Sequence, residues 1–179
     1  MEDDRISLAH GNGGRFMREL IEDVFATALS ASELDVQADA VPIDLGDGEV
    51  MITTDGFTVQ PLEFPGGDIG SLAIHGTTND LAVAGARPLF LTLNAFIEEG
   101  LEIALLERVV SSLAKAAAQA GVGHRGLVRH AARQSQDVGQ RFGVIVVDPP
   151  ACPAGAGSEG RRVHGDDGLQ AGFVVAKVM

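Results

Sequence analysis

The 179-residue sequence has a single cysteine, Cys152. One cysteine excludes an internal disulfide and a cysteine-based zinc site, and it makes the cytoplasm the expected compartment. No stretch approaches the roughly 20 uncharged apolar residues that a membrane-spanning helix needs. The acidic start Met1-Glu2-Asp3-Asp4 lacks the basic region and apolar core of a signal peptide. Cations are scarce: 13 Lys and Arg stand against 25 Asp and Glu, a formal charge of −12. Nucleic acid and anionic membrane surfaces both call for clustered Lys and Arg, so neither is an expected partner. A phosphate ligand then needs a bridging cation. Motifs are missing as well. There is no GxxxxGK(S/T), GxSxG or HExxH, and Gly11-Asn12-Gly13-Gly14 does not continue as GxGxxG, which removes the P-loop, hydrolase-elbow and zincin readings and a dinucleotide fingerprint at that loop. The five histidines show no metal-ligand spacing. Nothing in Ala-Cys152-Pro-Ala-Gly would lower the thiol pKa, so Cys152 is not an expected nucleophile.

The length suits about one domain with a sizeable core. The charge is unevenly spread. Residues 1–120 hold 6 Lys and Arg against 20 Asp and Glu, a formal −14, whereas residues 121–179 hold 7 against 5, a formal +2. Gly plus Pro rises from 16 of 120 residues to 14 of 59. The final third answers to different constraints from the rest.

Elements read clearly up to residue 120. His10-Gly11-Asn12-Gly13-Gly14 is a loop, because three glycines in four positions favour angles that other residues avoid. Phe16, Leu20 and Val24, beside Met17, Ile21, Phe25 and Leu29, form one apolar stripe of a helix. Val36–Leu45 and Val50–Thr54 read as strands about the turn Gly46-Asp47-Gly48, with Asp55-Gly56 ending the second. The stretch with Pro61, Pro65, Gly66 and Gly67 reads as a loop. A helix follows over 69–84, stopped by Gly85 and Pro88. Leu89–Phe96 is a buried strand and 101–120 an amphipathic helix. Beyond Val122 the signal degrades. Arg125, Arg129 and Arg133 lie at helical spacing, Phe142–Val147 suits a strand, and 149–160 reads as loop or disorder. No repeat of 20–50 residues is present.

The residues with chemistry to offer are carboxylates at element ends: Asp39, Asp55, Asp68 and Asp80. Oxygen ligands of this kind suit Mg2+, which takes one or two carboxylates together with substrate phosphates. Plainer readings stand beside that one. Asp68 is placed to cap the helix starting at Ile69, and Asp55-Gly56 is an ordinary turn pair. His10 and His75 suit structural roles. Asp80 sits inside a helix, where Asp is disfavoured. Twelve residues of continuous helix span about 18 Å, so Asp68 and Asp80 cannot share one ion if that helix is unbroken.

Several segments carry a resemblance. They are Leu8-Ala9-His10-Gly11-Asn12-Gly13-Gly14-Arg15, Thr53-Thr54-Asp55-Gly56-Phe57, Phe64-Pro65-Gly66-Gly67-Asp68-Ile69-Gly70, His75–Ala82 through Gly85-Ala86-Arg87-Pro88, and Glu98-Glu99-Gly100-Leu101. From about residue 5 to 122 the chain resembles the hydrogenase expression/formation proteins of the HypE family. That family sits within the aminoimidazole ribonucleotide synthetase-like superfamily, with thiamine-monophosphate kinases and selenophosphate synthetases. The resemblance implies an α+β fold, a mixed β-sheet flanked by helices. It implies a function in nickel–iron hydrogenase maturation. The family dehydrates, at the expense of ATP, a carboxamido group on a C-terminal cysteine to a thiocyanate, the source of the iron's cyanide ligands. It implies ATP and Mg2+ as cofactors, a homodimer, the carbamoyltransferase HypF as a partner, and the iron-carrying HypC–HypD complex as another. Carried over position by position, His10, Gly11, Asn12, Gly13, Gly14, Asp55, Asp68, Asn79 and Asp80 would contact ATP. Asp39, Asp55 and Asp80 would hold the metal, and 10–14 would act as a lid.

The chain departs from the family after Gly121-Val122, where Gly123-His124-Arg125 replaces a Gly-Asp-Thr-Lys-Val-Val motif. Cys152 does not match the context of the family's acceptor cysteine. The expected organisation is a HypE-like ATP-binding and dimerisation domain over 5–122. A divergent or disordered tail follows over 123–179, read as the product of a shifted frame, without the family's C-terminal domain. Such a chain is expected to be catalytically incomplete. The alternatives are a non-catalytic dimerisation or interaction fragment, and another ATP-using member of the superfamily. A selenophosphate synthetase would want a reactive Cys near its start, and a thiamine-monophosphate kinase lacks the His-Gly-Asn-Gly-Gly opening.

Overall fold

The computed structural model describes residues 4–29, 50–122, 129–132, 141–148 and 172–173. The architecture is α+β. Helix α1 (Arg15–Leu20) starts directly after the glycine loop, with Gly14 as N-cap, and widens into a π-helical stretch, Ile21–Ala26. Most of the apolar stripe is buried as its spacing predicts, at Leu20, Ile21, Val24, Phe25 and Leu29, but Phe16, its first residue, is exposed and Met17 only partly covered. The expected strand 36–45, its turn at 46–48, Asp39, Cys152 and the segment 149–160 lie outside the described residues.

Strand β1 (Met51–Phe57) runs further than the sequence predicts. Asp55-Gly56 does not end it, because strand β6 (Arg141–Asp148) pairs along its whole length, from Met51↔Asp148 to Phe57↔Phe142, setting Gly56 opposite Gly143. Between Phe57 and the next helix lies a small hairpin, β2 (Glu63–Phe64) with β3 (Gly67–Asp68), where the sequence suggests plain loop. Gly66 turns it with φ +96°, an angle that side chains resist.

Helix α2 (Ile69–Val83) and helix α3 (Ile103–Gln119) match their expected bounds to within two residues, as does strand β4 (Phe90–Ile97). On β4, Leu91, Leu93, Ala95 and Ile97 are buried, while Phe90, Asn94 and Phe96 are partly exposed. The face of Leu91, Leu93, Ala95 and Ile97 is turned to the core, while on the other face only Thr92 is buried. Helix α2 lies on β1 and β6 and packs along α3. The sheet runs β1-β6-β4-β5, with strand β5 (Arg129–Ala132) parallel to β4 and β6 antiparallel to both its neighbours. A two-residue strand β7 (Gly172–Phe173) pairs with Phe90 and Leu91. The helical spacing of Arg125, Arg129 and Arg133 therefore does not express itself at Arg129, which lies in β5; pairing with β4 prevails over local periodicity. Among the described residues no helix is long and apolar enough to cross a membrane.

Two glycines set the depth at which α2 seats. A side chain at Gly70 would run into the Val109 carbonyl oxygen of α3, and a Cβ at Gly76 would lie 2.5 Å from the Phe57 ring on β1. Their bareness lets α2 approach both neighbours closely.

Candidate functional site

Residues 51, 53, 55 and 57 share one face of β1, since strand side chains alternate. Phe57 on that face lies against Gly76 of α2. Asp80, one turn further along the helix, is thereby brought over Thr53 and Asp55. The Thr53 hydroxyl donates to Asp80 Oδ2 at 3.2 Å. The Asp55 carboxyl lies within hydrogen-bonding reach of Asp80, and its pKa is raised by partial desolvation, by the Asp80 charge and by that contact. Among the described residues no cationic side chain pairs with either carboxylate.

This pair is costly as a purely structural device. Two like charges repel, and Asp80 lies in the last turn of α2, at the negative end of the helix dipole. Both costs vanish if a cation sits between the carboxylates. Two facing carboxylates with a hydroxyl beside them fit Mg2+, whose remaining positions go to water and phosphate oxygens. The described residues hold no cluster of three metal-ligating side chains. Asp39, the third expected metal ligand, lies outside them. Thr53 was not legible as a site residue by residue type; its period-2 relation to Asp55 is the signal that points to it.

The other expected site residues do not converge here. Asp68 is the N-cap of α2. Its Oδ1 accepts from the Ser71 backbone N–H at 2.9 Å, while the Ser71 hydroxyl accepts from the Asp68 N–H at 3.0 Å. Helix α2 is unbroken, so Asp68 and Asp80 stand about 18 Å apart along it. Within one chain they serve different places. Asn79 is exposed and neighbours Asp80 on the helix surface, and His75 is exposed one turn earlier.

Residues Leu8–Gly11 form a 3-10 turn that abuts β5 and is tied to the β4–α3 connection by Ile6 N–H to Leu101 O (2.8 Å) and Gly100 N–H to Ile6 O (2.7 Å). Strands β1 and β5 are the two ends of the four-strand order, about 14 Å apart across the sheet. The loop Gly11–Gly14 is thus on the far side of the sheet from the acid pair. Gly13 has φ +74° and Asn12 and Gly13 are exposed. His10 is fully buried and not at the loop's outer surface.

Residues 37–126 match the model of the AIR synthase related protein family, N-terminal domain. The chain belongs to this family. Over 117 residues it is 50% identical to the carbamoyl dehydratase HypE of Azotobacter vinelandii, covering 65% of this chain and 34% of that protein. The HypE of Escherichia coli K12 is 43% identical over 124 residues, 66% of this chain and 37% of its own length. The chain spans about a third of the length of these curated relatives. Among solved structures, the hydrogenase maturation protein HypE in complex with ATP superposes with a TM-score of 0.71 at 39% identity, over 81% of this chain and 43% of that one. HypE of E. coli gives 0.62 at 36%, over 74% and 43%. HypE in a HypE–HypF complex gives 0.51 at 39%, over 72% and 41%. The resemblance to HypE and the expected α+β fold are both met.

Proposed function

We propose that these residues form the nucleotide-binding part of a HypE-type hydrogenase maturation protein, holding ATP through Mg2+ at Asp55 and Asp80. The observation that carries the reading is the Asp55–Asp80 pair, two facing carboxylates with Thr53 attached and, among the described residues, no cationic side chain paired with them. Supporting it, HypE has been solved with ATP bound, and this chain resembles that structure over most of its length. Bound Mg2+ would offset charge on the transferring phosphoryl group. Asp55 and Asp80 would orient the metal, and the Thr53 hydroxyl would fix the Asp80 rotamer. The glycine loop lies across the sheet from this pair, so its backbone N–H groups would meet a nucleotide held by the pair of a second copy in a homodimer.

The wider reading takes 5–122 as the ATP-binding and dimerisation domain, with 123–179 as a segment of different origin that supplies β5 and β6. It places the protein in the cytoplasm, working with HypF and the HypC–HypD complex. HypF partnering draws on the solved HypE–HypF complex. The chemistry served is dehydration of a carboxamido-cysteine, in which phosphorylation turns the amide oxygen into a good leaving group. These 179 residues offer no cysteine in the family's acceptor context, and the motif with the family's Lys and Asp is replaced after Val122. Each lost charge-assisted contact is worth about 1.5–3 kcal/mol, roughly ten- to a hundredfold in affinity. ATP binding by this chain is accordingly weak.

Calorimetry with ATP, with and without Mg2+, tests the site. Binding should require the metal, because the acidic chain repels a bare polyanion, and Asp55→Asn and Asp80→Asn should each weaken it at least tenfold. Tight metal-free binding, or binding indifferent to both substitutions, would place the site elsewhere.

A further inference from the structure

The glycine loop is built around a buried ring. His10 is fully buried although Asn12 and Gly13, two and three residues on, are exposed. Its Nδ1 lies 3.0 Å from the Ser7 backbone nitrogen and 3.0 Å from the Ser7 hydroxyl. A backbone N–H can only donate, so Nδ1 is the acceptor in that contact; the Ser7 carbonyl oxygen also lies 3.3 Å from it. The same ring meets Phe16 edge-on, with centroids 5.8 Å apart and planes inclined at 64°. On Phe16 in turn rests the Arg15 guanidinium, 5.2 Å from the ring centroid. Ser7 precedes the loop and Phe16 follows it. One imidazole therefore ties the entry of the segment 11–15 to its exit.

The geometry points to His10 as the positioning residue of the glycine loop. A buried ring does not touch a nucleotide, so its influence on a ligand passes through the loop. Gly11, Gly13 and Gly14 leave the backbone with more freedom to lose than any other residues would. A splint across the loop removes that freedom in advance, so that backbone N–H groups stand ready for an anion such as the phosphates of ATP. The ligand in this inference rests on the function proposed above; the splint itself does not.

The experiment measures hydrogen exchange over residues 11–15 and calorimetric binding of Mg-ATP, on the full chain and on His10→Leu, His10→Asn and Asp80→Asn. His10→Leu fills the space but cannot accept from Ser7. Loop amides should then exchange about tenfold faster, the worth of one hydrogen bond, with α2 and α3 unchanged. In His10→Asn, Oδ1 can accept from the Ser7 N–H, and exchange should stay within about threefold of the parent. Affinity for Mg-ATP should fall with the Leu variant and recover with Asn. Unchanged loop exchange in His10→Leu, or acceleration spread evenly over the whole chain, overturns the splint. Loss of binding in Asp80→Asn with full affinity in His10→Leu overturns the splint's role in binding and upholds the site. If the parent chain binds no ATP, the site reading falls, and loop exchange alone decides the role of His10.

Discussion

Replacing Gly70 by alanine separates local propensity from tertiary packing, because the two predict opposite signs. Glycine inside a helix costs about 1 kcal/mol relative to alanine, so α2 in isolation gains from the change. In the fold, Gly70 is buried where α2 crosses α3. The new Cβ would run into the Val109 carbonyl oxygen and lie 3.1 Å from both Leu113 Cβ and Asp68 Oδ1. A helix carbonyl cannot rotate aside, so the two helices must part, pulling at the Asp68 cap as they go. Overpacking of this kind costs about 1–3 kcal/mol, and an immovable backbone partner puts it at the upper end. After the helical gain the net loss is about 2 kcal/mol, or about 4–8 °C in Tm for a chain of this size. Thermal unfolding followed by circular dichroism, at one fixed protein concentration, is the measurement. A Gly70→Ala variant that melts at or above the parent temperature would refute the close α2–α3 contact.

Removing the cap by Asp68→Ala should lower stability by about 1 kcal/mol in the same assay and leave Mg2+ dependence of ATP binding intact, since Asp68 is at the other end of α2 from Asp80. Asp55→Asn should stabilise the metal-free protein at neutral pH by a few tenths to about 1 kcal/mol, the range of solvent-screened pairs. The folded-state pKa of Asp55 is raised, so the stability its protonated form contributes is present below the ordinary aspartate value and lost as pH rises through the raised one. The gain from Asp55→Asn should accordingly fade as denaturant unfolding is repeated toward pH 3, and a gain independent of pH would contradict the pairing with Asp80. Light scattering should report a dimer at micromolar concentration. Phe90, Asn94 and Phe96 of β4 are partly exposed, and Ile52 of β1, on the same sheet face across β6, is 65% exposed, so this face would otherwise stand open to water. A folded monomer of 18.6 kDa would count against it.

The sequence by itself determined the elements whose signals are local. Helix α3 follows from an apolar residue every three or four positions, α2 from Asp68 before it and Gly85 after it, and β4 from an apolar run between Pro88 and the Glu98-Glu99-Gly100 turn. Periodicity and caps act over a single turn of chain, which is why these bounds were legible. The resemblance carried by the glycine loop and the Asn79-Asp80 segment likewise needs only residue order. The tertiary structure alone decided the rest. Whether β1 stops at Asp55 depends on a partner strand about 90 residues away, and β6 carries it on to Phe57. Arg129 enters a strand because β4 offers it a ladder, whatever its helical spacing. Asp55 and Asp80 meet, with Thr53 between strand and helix, because Gly76 lets α2 down onto Phe57. Asp68 and the glycine loop stay apart from them because an unbroken helix and the width of a four-strand sheet intervene. Such distances are set by packing between segments remote in sequence, where no local pattern records them.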